Sequence, residues 1–336
     1  MTDRARAITD FIAASGWHGA ATRPLAGDAS NRRYLRLQRP DGARAVLMDA
    51  PAERGEDVGA FARIARHLSG LGLSAPRILA EDSATGFLLL EDLGDALFAR
   101  VLETAPDKEA PLYEAATDVL VALHRHPAPS ALDTYSPKVM ADMAALAFDW
   151  YAFGGTGAES PARAAFHADM QSLLERHAAC ADVLIQRDYH AENLLWLPER
   201  IGLARVGLLD FQDAMRGHRA YDLVSVLQDA RRDVPPAIET AMIDRYVAAT
   251  GVDAEAFVIA YHSLGAQRNL RILGVFARLC LRDGKAHYVD LIPRVWGLLQ
   301  RDLRHPALRG IAAHVHDSLP APDPALLERL RQQCTR

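Results

Sequence analysis

Three short apolar runs in the middle of the chain constrain its fold more than any other feature. Each run is too short for a helix of ordinary length and predicts a β-strand. The runs cover residues 183–185, 194–197 and 206–209. Asp188 and Asn193 lie five residues apart between the first two runs, and Asp210 follows the third, seventeen residues after Asn193. The pattern predicts a small β-structure with polar groups at its strand ends.

The three polar residues have the spacing of one catalytic base and two magnesium ligands in kinase-type phosphotransferases. Asp188 would accept the proton of an acceptor hydroxyl, while Asn193 and Asp210 would offer the hard oxygen ligands that Mg²⁺ prefers. His190 would orient the loop or contact the substrate. The alternative is that these are ordinary turn residues, because Asp and Asn are common in turns. The flanking apolar runs favour the functional interpretation.

Composition excludes several other classes of protein. The formal net charge of −5 over 336 residues argues against a dedicated nucleic-acid binder. The three cysteines form no CxxC pair, so neither a disulfide framework nor a thiolate zinc site is expected. The N-terminus lacks the apolar core of a signal peptide, and no apolar run reaches the length of about 18 residues that a membrane span needs. We expect a cytoplasmic protein, a monomer or weak dimer, with no nucleic-acid or membrane partner.

The order of the patterns predicts an α+β fold with two lobes. Apolar spacing predicts a small β-rich N-terminal lobe over residues 1–92, which would bind the nucleotide. A larger helical lobe over residues 93–336 would hold the catalytic loop and the acceptor site. The N-terminal lobe is expected to contain helices at 4–15 and 56–72, a hairpin at 33–37 and 45–48, and strands at 76–80 and 86–90.

The segment from Asp188 to Asn193, together with Asp210, resembles the catalytic loop and metal segment of the aminoglycoside phosphotransferase/choline kinase family. The resemblance covers nearly the whole chain. It implies a bilobal protein-kinase-like fold, ATP and Mg²⁺ as cofactors, and support of the catalytic loop by Asp222. Gln186 and Arg187 stand where the family usually has His-Gly.

Four further segments resemble the bacterial anomeric kinases of cell-wall recycling, which act on N-acetylmuramate and N-acetylglucosamine. They are residues 27–34, 46–51, 88–95 and 267–276. The resemblance implies ATP- and Mg²⁺-dependent phosphorylation of the anomeric hydroxyl of such a sugar. Alternatives are a kinase of the same fold for a uronic acid, glucosamine or an amino alcohol, and a nucleotide-binding pseudokinase.

The predicted nucleotide site lacks familiar phosphate-binding motifs. There is no Walker A or GxGxxG pattern, and Met48 occupies the expected place of the phosphate-binding lysine. Without that lysine no lysine–glutamate pair is expected, so Glu56 receives no catalytic role. Several residues could hold the nucleotide instead, because turn amides and guanidinium groups bind phosphate. The candidates are Ser30, Asn31 and an arginine among Arg32, Arg33 and Arg44; by resemblance, the Glu91 carbonyl and the Leu93 N–H would read the adenine edge.

The acceptor pocket is predicted from polar residues near the catalytic loop and on an apolar helix. Gln267, Arg268 and Arg271 interrupt that helix, which indicates either ligand contact or a structural salt bridge. Arg216, Arg268 or Arg271 could receive the carboxylate of a lactyl-bearing sugar, and the pattern does not choose among them. The full set of candidates is His190, Asp213, Arg216, His218, Gln267, Arg268, Asn269 and Arg271, with Trp150 and Tyr151 as aromatic platforms.

Overall fold

A computed structural model describes residues 3–25 and 32–334, apart from the side chain of Arg54. These residues divide into two units. The first comprises the described residues of 1–119 and 191–214, and the second those of 120–190 and 215–336. This division rests on contacts within the chain, whereas the predicted boundary at residue 92 concerns which ligand each lobe binds. The assignment of nucleotide and acceptor lobes therefore stays a prediction.

A five-stranded antiparallel sheet dominates the first unit, with strand order β1-β2-β3-β5-β4. The predicted hairpin is confirmed: Asp41 accepts a hydrogen bond from the Ala43 amide at 2.9 Å, and Gly42 supplies the positive φ of the turn. The first strand was not predicted, because four of its five residues are exposed and show no apolar alternation. The strands are β1 (Ala21–Leu25), β2 (Arg33–Gln38), β3 (Arg44–Asp49), β4 (Ile78–Asp82) and β5 (Phe87–Glu91).

Helices cover this sheet and bury its apolar residues. The N-terminal helix contributes Ile12, and Trp17 follows it, to a core that includes Leu37, Leu47 and Phe87. Asp57 caps the next helix by accepting a hydrogen bond from the Gly59 amide at 2.7 Å. The helices that begin in this unit are α1 (Asp3–Ile12), α2 (Val58–Gly70), α3 (Phe98–Thr104) and α4 (Glu109–Leu123).

Two small two-stranded sheets carry the apolar runs of the sequence motif. In the second unit, β6 (Val183–Ile185) pairs with β9 (Met215–Gly217); in the first, β7 (Leu194–Trp196) pairs with β8 (Val206–Leu208). The three predicted strands are confirmed. The fourth was not predicted, since its three residues carry no recognisable pattern.

The rest of the second unit is helical and is organised around one long helix, α10. Seventeen of its 28 residues are buried, including four of its polar ones. Every helix in the described part of the chain is too short or too polar to span a bilayer. The helices are α5 (Pro137–Ala144), α6 (Phe153–Thr156), α7 (Arg163–His177), α8 (Tyr221–Leu227), α9 (Pro236–Thr250), α10 (Ala254–Leu281), α11 (Ile292–Asp302), α12 (Arg309–Ser318) and α13 (Pro324–Gln333).

Candidate active site

Among the described residues, two that are not glycine have a positive φ: Arg187 at 72° and Asp210 at 55°. Left-handed backbone costs such a residue about 1–2 kcal/mol and persists where the surroundings enforce it, often at functional sites. Arg187 directly precedes Asp188 and stands where the family usually has glycine, which adopts this conformation without the cost. The backbone is therefore unusual at both segments that the sequence motif selects.

Asp222, the second residue of α8, holds the start of the predicted catalytic loop. Its carboxylate is fully buried and accepts hydrogen bonds from the Gln186 amide at 2.6 Å and the Arg187 amide at 2.9 Å. Burial raises the pKa of Asp222 to about 7, although the two backbone donors act in the opposite direction. The support of the loop that the resemblance implied for Asp222 is visible in these two bonds.

Asp188 lies in a strongly positive environment. Burial alone would raise its pKa, but the charges of Arg271, Arg268 and Arg187 outweigh burial and hold the pKa of Asp188 below its usual value. An aspartate in these surroundings is ionised at neutral pH and can accept a proton, as a general base must.

The arginines around Asp188 are fixed by their own partners. Arg268 is buried and donates to the Ser225 hydroxyl at 2.6 Å, and Ser225 donates in turn to the Arg187 carbonyl at 3.4 Å. Arg271 donates to the Tyr221 hydroxyl at 3.3 Å. The Arg187 guanidinium lies 5.5 Å from the centre of the Tyr135 ring. The three guanidinium groups make the surroundings of Asp188 positive.

The two predicted magnesium ligands lie on neighbouring strand ends of the first unit. Asn193 precedes β7, and its carbonyl accepts a hydrogen bond from the Leu209 amide at 3.0 Å, one residue before Asp210. The Asp210 carboxylate also accepts from the Gln212 side chain at 2.7 Å. An amide and a carboxylate oxygen are hard ligands, and Mg²⁺ takes one or two of these from the protein while water and phosphate complete its shell. The residues present therefore fit a nucleotide-bound Mg²⁺.

Arg32 connects the predicted metal segment to the loop that leads into helix α2. Its Nε is 2.6 Å from Glu56 Oε2, and its Nη1 is 3.8 Å from Asp210 Oδ1. The Arg32 and Glu56 side chains are only 11% and 10% exposed. Met48 is buried in β3 and offers no charge. From sequence, Glu56 receives no catalytic role, because the β3 lysine that would pair with it is absent. The structure shows that Glu56 pairs with Arg32 instead.

Other predicted nucleotide residues have different surroundings. Arg33 is largely exposed and pairs with buried Asp49 at 2.7 Å. The Glu91 side chain pairs with Arg200 at 2.9 Å, which leaves its predicted contact through the main-chain carbonyl untouched. The Leu93 side chain is buried. Ser30 and Asn31 lie outside the described residues, and the roles of all of these remain predictions.

The segment predicted to contact adenine is held by a buried arginine that sequence analysis missed. Arg36 donates to Asp92 at 2.9 Å, to Asp95 at 2.7 Å and to the Gly94 carbonyl at 3.2 Å. Its position in β2, 56 residues before Asp92, gives no local signal of this contact. The pairing of Arg36 with the acidic residues of segment 91–95 depends on contacts between residues distant in the chain. Sequence spacing therefore does not predict it.

The predicted acceptor residues differ in burial and in hydrogen-bond partners. The Gln267 amide is buried and donates to the Met140 carbonyl at 2.9 Å, and Arg216 donates to the Thr134 hydroxyl at 2.6 Å. Asp213 is exposed. His190 is buried, and burial lowers its pKa to about 4. Arg268 and Arg271 are grouped around Asp188 in the second unit, so they remain the strongest candidates for contact with the acceptor.

Comparison with known proteins shows the family and the fold of this chain. The profile of the phosphotransferase enzyme family matches residues 21–261. The N-acetylmuramate/N-acetylglucosamine kinase of Caulobacter vibrioides is 41% identical over 93% of this chain and 96% of that protein. The protein of the same name from Pseudomonas aeruginosa is 35% identical over 87% and 88%. The structure of the choline kinase of Streptococcus pneumoniae matches with a TM-score of 0.59, at 16% identity, over 89% of this chain and all of that one.

The structural likeness defines the class: a protein-kinase-like fold with a small antiparallel sheet and a larger helical part. The family match and the identity to the curated relatives go further, and the chain belongs to the phosphotransferase enzyme family. Both the predicted fold class and the family resemblance are confirmed.

Proposed function

We propose that this phosphotransferase is a sugar kinase that transfers the γ-phosphoryl group of ATP to the anomeric hydroxyl of N-acetylmuramate or N-acetylglucosamine. The observation that carries the proposal is the 41% identity, over 93% of the chain, to a kinase named for these two sugars. A role in cell-wall recycling follows from that substrate class.

Asp188 acts as the general base of this reaction. It accepts the proton of the anomeric hydroxyl while the sugar oxygen forms a bond to the γ-phosphorus and the bond between that phosphorus and the β–γ bridging oxygen breaks. ADP leaves, and Asp188 releases its proton to solvent. An anomeric hydroxyl is more acidic than an ordinary alcohol, so a base with a lowered pKa is sufficient.

Asn193 and Asp210 hold a nucleotide-bound Mg²⁺ in this proposal. When bound, the ion neutralises the charge of the phosphate oxygens. The pairing of their strands through the Leu209 amide keeps the two ligands in register. Arg32 and Arg33, with the polar residues Ser30 and Asn31, are the proposed phosphate contacts; the backbone of Glu91 and Leu93 contacts adenine.

The positive charge around Asp188 supports an acceptor that carries a carboxylate. A polycationic aminoglycoside requires an acidic pocket, whereas the candidate acceptor residues include Arg216, Arg268 and Arg271. The lactyl carboxylate of N-acetylmuramate complements a guanidinium, which binds carboxylates through two parallel hydrogen bonds. Arg268 or Arg271 is the proposed partner of this carboxylate. His190, Asp213 and Gln267 are further proposed contacts of the acceptor.

A coupled assay of ADP release over a panel of acceptors tests the proposal. The panel contains N-acetylmuramate, N-acetylglucosamine, glucosamine, uronic acids and amino alcohols, and coupling between phosphorus and the anomeric proton in NMR identifies the phosphorylated position. Turnover on the two acetylated sugars with an anomeric phosphate is expected. ATP binding without turnover on any acceptor would mean a pseudokinase, the alternative that Met48 favours.

Two properties of the whole protein complete the proposal. We propose a cytoplasmic enzyme, because ATP and the sugars released by cell-wall turnover meet there, and a monomer or weak dimer. Sedimentation of the purified chain at several concentrations tests the second point.

A further inference from the structure

Phosphoryl transfer requires a cation against the phosphates of the nucleotide besides the metal ion. In β3 the expected position is occupied by Met48, which is buried between Tyr34 of β2 and Leu88 of β5. Its thioether is uncharged and cannot bind a phosphate. The charge must come from a residue that reaches the metal segment from another part of the first unit.

Arg32 satisfies this requirement by position. It directly precedes β2, and its Nη1 lies 3.8 Å from Asp210 Oδ1. Its side chain is 11% exposed, so little water screens its charge. A distance of 3.8 Å to the proposed metal ligand is an ion-pair contact that leaves the guanidinium close to where metal-bound phosphates would lie.

Glu56 fixes the direction of the Arg32 side chain. The bond from Arg32 Nε to Glu56 Oε2 is 2.6 Å long, and both side chains are largely buried. This bond uses the Nε edge of the guanidinium. The pKa of Arg32 is raised because Tyr34 and Glu56 together outweigh the effect of burial. The arginine is therefore charged and held at one edge by a residue of the loop that leads into α2.

We infer that Arg32 binds the nucleotide phosphates in place of the absent β3 lysine, and that Glu56 is the positioning residue that aims it. The inference rests on the proposed use of a nucleoside triphosphate, but it assigns a new role to Glu56 and selects Arg32 among the arginine candidates. The surroundings of Arg33 agree with that selection, because Arg33 is directed to Asp49 and is 57% exposed.

The test compares the affinity for ATP with the affinity for adenosine, measured by titration calorimetry in the presence of Mg²⁺. Arg32→Gln should weaken ATP binding by about 10- to 100-fold, the range for a lost charge-assisted hydrogen bond, and leave adenosine binding within about twofold. Glu56→Gln should raise KM for ATP and lower kcat with KM for the sugar unchanged. Arg32→Lys should recover part of the loss.

A matched control exists on the same unit, where Arg66 pairs with Glu81 on the surface. Arg66→Gln should change neither nucleotide affinity nor turnover. The double variant of Arg32→Gln with Glu56→Gln should bind ATP no worse than Arg32→Gln alone, because a positioning residue acts through its partner. Thermal melting identifies any variant that fails to fold, and for that case Arg32→Lys provides the milder change.

The outcomes separate this inference from the proposed function. Equal affinity of folded Arg32→Gln and wild type for ATP overturns the inference even if sugar phosphorylation is observed. A selective loss of ATP affinity supports it even if no acceptor in the panel is phosphorylated. Parallel loss of ATP and adenosine binding would mean that the pair only supports the local structure, and that result also overturns it.

Discussion

Asp188 is subject to two opposing influences at the scale of a single residue. Burial disfavours its charged form, and the surrounding arginines favour it; the arginines prevail, so the pKa of Asp188 is lowered. Removing one arginine leaves the effect of burial unchanged and reduces the positive charge near Asp188. The pKa of Asp188 should then rise. The protonation of the proposed base is therefore adjustable by residues that do not themselves exchange the proton.

Arg271→Gln should shift the acidic limb of the kcat/KM profile to higher pH. Arg271 is the strongest of the charges that lower the pKa of Asp188, so its removal raises that pKa and protonates the base earlier as pH falls. The measurement is the profile of kcat/KM for the sugar from acidic to neutral pH. Arg216→Gln is the control, because Arg216 bonds to Leu132 and Thr134 and should not move the limb. An unmoved limb in both variants would count against Asp188 as the base.

Asp188→Asn should lower kcat by about 100- to 10,000-fold, the usual contribution of a positioned general base. Binding of ATP with Mg²⁺ should remain nearly intact, because Asp188 is not a proposed metal ligand. Asp210→Ala should lose both turnover and Mg²⁺-dependent ATP binding. Calorimetry and the coupled assay together measure these effects, and a fully active Asp188→Asn variant would refute the base assignment.

At the scale of elements, helix α8 fixes the backbone of the proposed catalytic loop. The Asp222 carboxylate binds two successive amides, and one belongs to Arg187, whose φ is positive. These bonds oppose the cost of about 1–2 kcal/mol of the left-handed conformation. The loop geometry thus depends on a residue that lies 34 positions after Asp188 in the chain.

Asp222→Asn should lower the free energy of unfolding by about 1–3 kcal/mol and reduce kcat. The asparagine side chain has one acceptor oxygen, and its NH2 group would face the second backbone N–H, which is also a donor. Denaturant unfolding and steady-state kinetics measure the two effects. Asp233→Asn is the control, because Asp233 forms an exposed ion pair with Arg294. This substitution should change the free energy of unfolding by less than about 0.5 kcal/mol. Full activity in a folded Asp222→Asn variant would contradict the anchoring role.

At Gly274, helix α10 lies close to the backbone of Leu146. A Cβ at this position would lie 2.3 Å from the Leu146 carbonyl carbon, closer than any real contact permits. Gly274→Ala should therefore destabilise the protein by about 1–3 kcal/mol despite the better helix propensity of alanine. Gly297→Ala in α11 is the control, since a Cβ there meets nothing within 4 Å. This substitution should raise the free energy of unfolding by up to about 1 kcal/mol. Equal effects in denaturant unfolding would contradict this packing.

At the scale of the whole molecule, buried histidines make stability depend on pH. Burial lowers the pKa of His124 to about 3 and that of His218 to about 4. The unfolded chain binds these protons below about pH 6.5, whereas the folded chain does not. The unfolded state therefore gains protons first, and stability falls as pH drops from about 6.5 towards the folded values.

His124→Gln should reduce this acid sensitivity. Glutamine can keep a hydrogen bond to the Tyr246 hydroxyl, which lies 2.7 Å from His124 Nδ1, but it does not titrate. The slope of unfolding free energy against pH below about 6.5 should fall by up to about 1.4 kcal/mol per pH unit relative to wild type. Denaturant unfolding at a series of pH values measures the slopes, with the exposed His316→Gln as control. Parallel slopes for wild type and His124→Gln would contradict the assignment.

Much of the fold was predictable from sequence because its signals are local. The β2–β3 hairpin follows from alternation and a Pro-Asp-Gly turn, and the apolar runs around Asp188, Asn193 and Asp210 predict their strands. Strands β1 and β9 were missed, since the first is mostly exposed and the second has three residues without a pattern. Periodicity detects an element by the face it buries, and neither strand shows one.

The residues of the candidate site likewise divide into those that local spacing predicts and those that it does not. The proposed base and both proposed metal ligands could be selected from spacing, because Asp188 to Asn193 lies in one loop and Asp210 ends the next hairpin. The partner of Glu56 could not be predicted, because Arg32 lies 24 residues away and no sequence pattern links the two residues. Arg187 was noted only as a departure from glycine, and its positive φ explains why a glycine suits that position.

The sequence by itself determined the kinase-like layout of strands and helices and selected the three polar residues of the proposed catalytic segment, since short-range spacing encodes them. Only the tertiary structure decided which charges surround Asp188, which carboxylate anchors the loop and which arginine pairs with Glu56. These pairings join residues distant in the chain, and a buried charge takes whichever partner the packing brings within hydrogen-bond distance. Packing, and not spacing, fixes that choice.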